Sequence, residues 1–408
     1  MYSVAPDTAY ALEAILSGRY AFQGSLRHTN PNPDVQHQIL LFDLLNSVGF
    51  KTAMFSASDW GATTRLLTRP SIQRYQDSFA SRHLKSSQRG AQEGVPGFSS
   101  DSGGFRPFDS HSGVTFSSLD EETTKGFISW STEADSNQPL FGVVYLVSSH
   151  FPWIVDDEKH RIVPTESITE GNWRSIFGTA RPVDAAFLTK NYYNALHQVD
   201  YYFGKIFDAI ATRQGNRPYL LVVVGDHGEA LAQHGDVAHA SSLYEEQVRV
   251  PLLMYDSRER SQSSLPVPVS QVDVAPTILD ILGLPHYDGF QGAAIRALSK
   301  RAPRDIFLTL QAFKTQDALV RWPYKLLVAA SGRRRLFNLE TDPGEVDDLS
   351  GKLPDVDSRM VRTLQDFKSL QRAYYALPAA TRNGFVPPQF GDEVFSIPGL
   401  PSKQKMRP

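Results

Sequence analysis

Short runs of apolar residues alternate along the chain with longer stretches in which apolar residues recur at helical spacing. Apolar runs of four to eight residues are typical of buried strands, and a 3.6-residue period is typical of amphipathic helices. The pattern predicts strands at residues 51–56, 141–148, 219–224 and 250–255. It predicts helices at residues 34–47, 121–130, 184–213 and 272–282. This alternation is expected of an α/β fold with a mainly parallel sheet between helices.

The pattern changes from about residue 304 onwards. Short strands are predicted at residues 324–329 and 335–338, and a helix follows at 357–375. A small α+β subdomain is expected there. We therefore predict three parts, which are a large α/β domain at 1–300, a small C-terminal subdomain at 301–377 and a proline-rich tail at 378–408.

Composition excludes several classes of protein. Lys and Arg total 41 against 44 for Asp and Glu, which gives a formal net charge of -3. Because such a surface is poorly suited to neutralising nucleic-acid phosphates, no nucleic-acid partner is expected. The chain has no cysteine, which excludes disulfides, thiolate metal sites and a cysteine nucleophile. Its apolar runs are far shorter than the ~20 residues of a membrane-spanning helix, and no signal peptide is recognisable.

The densest group of chemically useful residues follows the apolar run at residues 220–224. Asp226 and His227 come directly after this predicted strand, and Gly225 and Gly228 flank them. Ligands bind beyond the carboxyl ends of strands in such sheets, and the glycines allow the carboxylate and the imidazole to point at one ion. Mixed oxygen and nitrogen ligands favour Mn²⁺ or Zn²⁺, with Ca²⁺ or Mg²⁺ as alternatives. The other interpretation is that these polar residues only cap a strand end.

Several segments resemble the sulfatase family of the alkaline phosphatase superfamily. The segment GDHGEALAQHGDVAHASSLYEEQVRVPL (225–252) is similar to the family signature, in which Asp-His-Gly-Glu after a strand is followed by His-Gly, Tyr-Glu and Arg-Val-Pro-Leu. Segments 193–210, 270–285 and 336–350 also resemble family segments. The resemblance implies an alkaline phosphatase-like sheet between helices, a small C-terminal α+β subdomain, and a metal-dependent enzyme that acts on esters.

Thr8 is the residue that the resemblance places at the nucleophile position. Family members carry the nucleophile ten residues before a glycine at the end of a short helix, and counting back from Gly18 gives Thr8. Asp7 is the expected N-cap of this helix and Gly18 its expected end. Backbone N–H groups in the first turn favour a bound anion. Because a free hydroxyl is a poor nucleophile, Thr8 is expected to share the metal of Asp226 and His227. The alternative is an ordinary helix start.

Threonine at this position distinguishes the chain from sulfatases proper. Sulfatases proper carry the motif Cys-x-Pro-x-Arg, or a version with serine in place of cysteine, and the first residue is converted to formylglycine. Residues 8–12 of this chain are Thr-Ala-Tyr-Ala-Leu instead. In having threonine at this position, the chain resembles lipoteichoic acid synthases and phosphoethanolamine transferases. The resemblance therefore favours phosphate esters over sulfate esters.

The resemblance also implies roles for five other residues. His150, in the segment His-Phe-Pro after a predicted strand, and His239 are expected to contact ester oxygens or to protonate the leaving group. His234 is expected to support the site without contacting the reacting atoms, and Trp60 and Arg65 are expected to hold the substrate head group. For each of them the alternative is a purely structural role.

Two functions follow from these expectations. The first is a hydrolase or transferase that acts on phosphate esters, and less readily on sulfate esters, through a covalent intermediate on Thr8. The second is a catalytically incomplete sulfatase-like domain with a binding or regulatory role. Family members normally open with a strand that ends in acidic metal ligands, but only seven residues precede Thr8. An N-terminal strand is therefore expected to be missing from this sequence. The missing acids favour the second function, whereas the retained residues favour the first, namely Thr8, Asp226, His227, His150 and His239.

The expected partner is an anionic ester substrate, linked to a lipid or a glycan. A membrane anchor upstream of the present start is a further expectation. The resemblance favours an extracytoplasmic or membrane-anchored location, although the sequence itself carries no such signal.

Overall fold

The computed structural model describes residues 1–20, 38–58, 69–78, 116–155, 157–169, 172–177, 184–215, 217–262, 264–265, 267–298, 304–311 and 315–377. Trp60, Arg65 and the predicted tail at 378–408 lie outside the described residues.

The described helices are α1 (Thr8–Ser17), α2 (Leu41–Ser47), α3 (Phe116–Glu133), α4 (Trp173–Phe177), α5 (Ala185–Gln214), α6 (Glu245–Val248), α7 (Val274–Ile281), α8 (Ile295–Leu298) and α9 (Pro354–Ala376), with 3-10 turns at Glu158–His160 and Gln271–Asp273. The described strands are β1 (Lys51–Ser56), β2 (Arg74–Asp77), β3 (Leu140–Tyr145), β4 (Leu220–Val224), β5 (Ala230–Leu231), β6 (Val237–Ala238), β7 (Leu252–Asp256), β8 (Ile306–Leu310), β9 (Gln316–Arg321), β10 (Tyr324–Ala329) and β11 (Arg334–Asn338). None of these helices has the length and hydropathy needed to cross a bilayer.

The chain divides into two compact units, the first formed by Met1–Leu44 with Pro218–Pro408 and the second by Leu45–Arg217. In the second unit a three-stranded parallel sheet has the order β2-β1-β3. Phe55 of β1 packs against Phe127 and Trp130 of α3, with ring centroids 5.9 and 5.7 Å apart. These contacts bury the apolar face that the sequence pattern predicts for strand 51–56.

The first unit contains the other described sheets. β4 pairs antiparallel with β7, and a four-stranded antiparallel sheet has the order β11-β10-β9-β8. Phe367 of α9 stacks on Phe307 of β8 with ring centroids 3.6 Å apart, and Tyr20 meets both rings edge-on. The elements at 301–377 therefore share one core with the start of the chain.

Residues 1–3 enter the first unit as an extended segment with backbone bonds on both sides. The Tyr2 N–H donates to Val269 O at 2.7 Å, and the Ser3 N–H donates to Val248 O at 2.8 Å. The Tyr2 carbonyl accepts from the Gln271 N–H at 3.0 Å. Since these bonds hold the segment from two directions, the residues that lead into α1 have a defined path.

Candidate active site

Helix α1 begins at Thr8 and has the caps that the sequence predicts. The Asp7 carboxylate accepts from the Ala9 N–H at 3.1 Å. Gly18 ends the helix in the left-handed region, with φ 63°, and its N–H donates to Ala14 O at 3.0 Å. The first N–H groups of a helix have no acceptor within the helix, and the helix dipole favours negative charge at this end. Buried Thr8 therefore lies at an end suited to an anion.

The structure brings Thr8 together with the two residues that follow β4. Thr8 Oγ1 lies 2.9 Å from Asp226 Oδ2 and 3.2 Å from His227 Nε2. The third side of this triangle, from Asp226 Oδ2 to His227 Nε2, measures 3.5 Å. Residues 218 positions apart in the sequence thus place three polar atoms around one point.

The hydrogen bond on the other side of the His227 ring shows which ring nitrogen carries a proton and which can direct a lone pair towards Thr8 and Asp226. His227 Nδ1 lies 3.0 Å from Gly228 O. A carbonyl oxygen only accepts, so Nδ1 carries a proton, and Nε2 is the ring nitrogen whose lone pair is available to a cation. The Thr8 hydroxyl has one proton to share between the carboxylate and this nitrogen. Three acceptor atoms with one proton among them favour a positive charge at their centre.

A divalent cation fits this set of donors. At a metal–ligand distance of about 2.1 Å, neighbouring ligands are separated by about 3.0 Å in octahedral and about 3.4 Å in tetrahedral geometry. The three observed separations of 2.9, 3.2 and 3.5 Å cover this range. Burial on its own would raise the pKa of Asp226, but a positive charge beside the carboxylate, as on a protonated His227 ring, and the Thr8 hydrogen bond outweigh it and lower that pKa. Asp226 is therefore an anionic ligand.

Glu229 and His239 form a second pair beside this triangle. His239 Nδ1 lies 2.9 Å from Glu229 Oε1, and the His239 ring is 4.2 Å from the His227 ring. Burial lowers the pKa of His239, but the adjacent Glu229 carboxylate more than compensates, so this pKa is raised. His227, Glu229 and His239 also place one ligand atom each within 4.8 Å of one another, which makes them a second donor set for a cation when His239 is unprotonated.

Sequence reasoning missed Glu229 as a site residue. The sequence does contain a signal for Glu229, because this residue directly follows Asp-His-Gly in the family motif. What the sequence does not contain is the turn at β5 and β6, where Ala230 lies opposite Ala238 and so brings His239 back to Glu229.

His234 is held by contacts with Glu246 and Tyr244. Its Nδ1 is 2.8 Å from Glu246 Oε1, and its ring stacks on Tyr244 at 3.7 Å with an interplanar angle of 2°. These contacts use one ring face and one nitrogen, which suits a supporting residue.

His150 belongs to the second unit, where it follows β3. Its ring Nδ1 lies 2.5 Å from Phe151 O, and its backbone N–H donates to Val147 O at 2.9 Å. The expected head-group residues, Trp60 and Arg65, fall outside the part of the chain that the structure describes.

Comparison with known proteins identifies the family. The sulfatase family model matches residues 1–284, which is more than half of the chain. The chain belongs to the sulfatase family. Arylsulfatase K of Danio rerio is 24% identical to this sulfatase-family chain over 203 residues, covering 45% of the chain and 38% of that protein. The chain therefore spans less than half of the length of this relative.

Solved structures share the fold of this sulfatase-family chain. The phosphonate monoester hydrolase of Silicibacter pomeroyi gives a TM-score of 0.65 at 16% identity, covering 92% of this chain and 87% of that chain. A protein solved with its substrate D-glucosamine-2-N,6-O-disulfate gives a TM-score of 0.63 at 14% identity, covering 93% and 90%. The predicted α/β class is thereby confirmed, and so is the resemblance to sulfatases. The threonine-nucleophile subgroup stays a prediction.

Proposed function

We propose that this domain cleaves or transfers phosphate esters through a covalent intermediate on Thr8. The observation that carries the proposal is the position of the Thr8 hydroxyl, 2.9 Å from the Asp226 carboxylate and 3.2 Å from His227 Nε2. A hydroxyl held against a cation site at a helix N-terminus combines a nucleophile with an anion-binding end. A structural threonine at a helix start needs neither of these neighbours.

The chemistry of threonine supports phosphorus over sulfur. Its β-carbon carries a single oxygen, so an ester formed on Thr8 is released only when an acceptor attacks the phosphorus or sulfur atom. Phosphoryl groups undergo such successive transfers readily when their charge is stabilised. The fold shared with a phosphonate monoester hydrolase agrees with this choice.

Sulfate-ester hydrolysis is the second candidate function. It is supported by the similarity to arylsulfatase K and by the neighbour solved with a disulfated glucosamine. The latter also favours a glycan-linked ester over a lipid-linked one as the natural substrate. Both candidate functions use the same residues and differ in the central atom of the ester.

The proposed mechanism assigns one task to each residue. The Asp226 carboxylate accepts the Thr8 hydrogen bond, which turns the hydroxyl lone pairs away from Asp226 and towards the ester. Thr8 Oγ1 attacks the phosphorus and passes its proton to the Asp226 carboxylate, while protonated His239 donates its proton to the leaving oxygen as the ester bond breaks. Water or an alcohol then displaces Thr8, with neutral His239 taking the proton of the attacking hydroxyl and Asp226 returning a proton to Thr8 Oγ1. A divalent cation, when bound by Thr8, Asp226 and His227, lowers the pKa of the hydroxyl and withdraws charge from the ester.

The test compares three chromogenic substrates with added Mn²⁺ or Zn²⁺: p-nitrophenyl phosphate, bis-p-nitrophenyl phosphate and p-nitrophenyl sulfate. We expect turnover of a phosphate substrate and a decrease in kcat of more than about a thousandfold for Thr8→Ala. Thr363→Ala, which removes another buried helical hydroxyl of the first unit, is the matched control. Equal rates for Thr8→Ala and the control would reject the nucleophile. Turnover of the sulfate alone would select the second candidate, and metal binding without any turnover would select a binding role.

Metal content supplies a separate test of the donor set. Asp226→Ala should lower the bound Mn²⁺ or Zn²⁺ per chain, whereas Asp280→Ala on the exposed face of α7 should not. Elemental analysis after gel filtration measures the ratio. An unchanged stoichiometry in Asp226→Ala would remove Asp226 from the proposed site.

A further inference from the structure

A buried glutamine links the two segments that carry Thr8 and Asp226. Gln271 opens the 3-10 turn Gln271–Asp273, and its side chain is fully buried in the first unit. The turn itself is fixed by a capping box between Ser270 and Asp273, and the Asp273 carboxylate pairs with Arg304. The Gln271 side chain therefore extends from a turn whose backbone is held by these contacts.

The Gln271 amide has polar partners on two sides. Its Oε1 accepts from the Val4 N–H at 3.1 Å and lies 3.0 Å from the Ser3 hydroxyl. Its Nε2 donates to Gly225 O at 3.1 Å and to Asp226 O at 2.5 Å. Since a backbone N–H only donates and a carbonyl only accepts, these partners fix which end of the amide is oxygen. Both amide hydrogens and at least one oxygen lone pair are used.

The partners on the two sides belong to the two halves of the candidate site. Ser3 and Val4 lie just before α1, whose first residue is Thr8, whereas Gly225 and Asp226 follow β4. The Ser3 hydroxyl also lies 2.6 Å from Asp226 O and 2.6 Å from Ala5 O, so its one proton is shared between these carbonyls and Gln271 Oε1. Gln271 thus spans the two segments with one side chain.

We propose that Gln271 is a positioning residue that sets the separation between the Thr8 hydroxyl and the Asp226 carboxylate. The inference rests on the proposed function, because the separation matters only if these atoms share a cation or a substrate. Outer-shell partners of metal ligands typically change metal affinity or activity by about 10–100-fold when they are lost. Only an amide supplies two donors and two acceptors in this space, so apolar or acidic replacements break at least one side of the link.

The variants separate positioning from general stability. Gln271→Met keeps the length of the side chain and removes the hydrogen bonds on both sides of the amide. Gln291→Met is the matched control, because Gln291 is equally buried, accepts from the Tyr20 N–H at 2.7 Å and pairs with Gln371, away from Thr8 and Asp226. Gln271→Asn, whose shorter amide reaches one side only, is a milder second variant if Gln271→Met does not fold.

Three measurements are made on the full chain. These are Mn²⁺ affinity by calorimetry, kcat and KM for the chromogenic phosphate, and the Thr8 Oγ1 to Asp226 Oδ2 distance in crystals of each variant. For Gln271→Met we expect Mn²⁺ affinity to fall by about 10–100-fold and kcat to fall more than KM changes. We expect the distance to increase from 2.9 Å to beyond about 3.5 Å, the limit of a hydrogen bond. Gln291→Met should lose stability and keep both the affinity and the distance.

The outcomes are distinguishable. An unchanged Mn²⁺ affinity together with an unchanged distance in a folded Gln271 variant overturns the positioning role, and so does an equal loss of affinity in Gln291→Met. If the wild-type protein neither binds Mn²⁺ nor turns over substrate, the proposed function fails. The crystallographic distance still decides whether Gln271 holds the two segments in register.

Discussion

Replacing Lys325 with methionine should destabilise the first unit strongly and in a pH-dependent way. Lys325 is fully buried on β10, and its Nζ lies 2.9 Å from Glu245 Oε1 and 2.9 Å from Glu345 Oε1. Glu345 Oε2 also accepts from the Glu245 N–H at 2.6 Å. Methionine fills a similar volume, so the main change is that buried Glu345 and partly buried Glu245 lose their cation.

In Lys325→Met, the least costly way to remove the unpaired negative charge is to protonate Glu345. The cost of this protonation sets the loss in free energy of unfolding. Burial already raises the pKa of Glu345, and the Lys325 charge opposes this rise. Without Lys325, Glu345 must take up a proton, starting from an ordinary pKa of 4.5. At pH 7 this is about 2.5 units uphill, or roughly 3.4 kcal/mol at about 1.36 kcal/mol per unit. The value agrees with the ~3–5 kcal/mol expected for breaking a buried ion pair.

The sign of the pH dependence provides the sharper test. Protonation becomes easier as the pH falls, so the stability deficit of Lys325→Met should shrink by up to about 1.4 kcal/mol per pH unit, from pH 7 down to the raised pKa of Glu345 in the wild type. Urea unfolding followed by circular dichroism measures the free energy of unfolding at each pH. Adding Glu345→Gln should recover part of the loss at pH 7. Lys368→Met, which removes a partly exposed lysine paired with Asp317, should cost no more than about 1 kcal/mol. A deficit in Lys325→Met that does not change with pH would refute this reasoning.

Two further predictions concern other parts of the fold. Gly18→Ala should lower the free energy of unfolding by about 2–3 kcal/mol in urea, because the new Cβ would lie 2.5 Å from Phe290 Cδ1 in addition to the left-handed strain. Gly283→Ala, with similar φ and open space, should lose only about 1–2 kcal/mol, and equal losses would show that Phe290 moves freely. Burial raises the pKa of Asp120 from 3.8 to about 7, so protonated Asp120 stabilises the fold and this stability is lost as the pH rises through that range. Asp120→Asn should lack this loss, and parallel pH–stability curves for the variant and the wild type would contradict it.

Local patterns in the sequence predicted the elements well where a strand or helix is defined by its own residues. The strand predicted at 51–56 has those bounds, and the helix predicted at 184–213 is found at Ala185–Gln214. The strand predicted at 250–255 begins later, at Leu252, because the Val250 N–H bonds to Met1 O instead of to β4. The helix predicted from residue 272 begins at Val274, since the capping box turns Gln271–Asp273 into a 3-10 turn.

The residues of the candidate site also divide into those that local sequence patterns predict and those that they do not. Thr8, Asp226 and His227 could be predicted because each lies at a recognisable helix start or strand end, and the structure places them together. Gln271 and Lys325 could not be predicted, because nothing in their neighbouring residues indicates the distant residues that they contact. Such side chains depend on contacts made only after the chain has folded.

The distance along the chain between Thr8 and Asp226 also matters while the protein is being synthesised. Helix α1 is buried over nearly its whole length, and its partners in the first unit come from Pro218 onwards. At about 5–20 residues per second a ribosome needs on the order of 10–40 s to add the 218 positions between them. During this time the apolar helix has left the ribosome without its final partners, so we expect chaperones that shield apolar segments to bind the nascent chain.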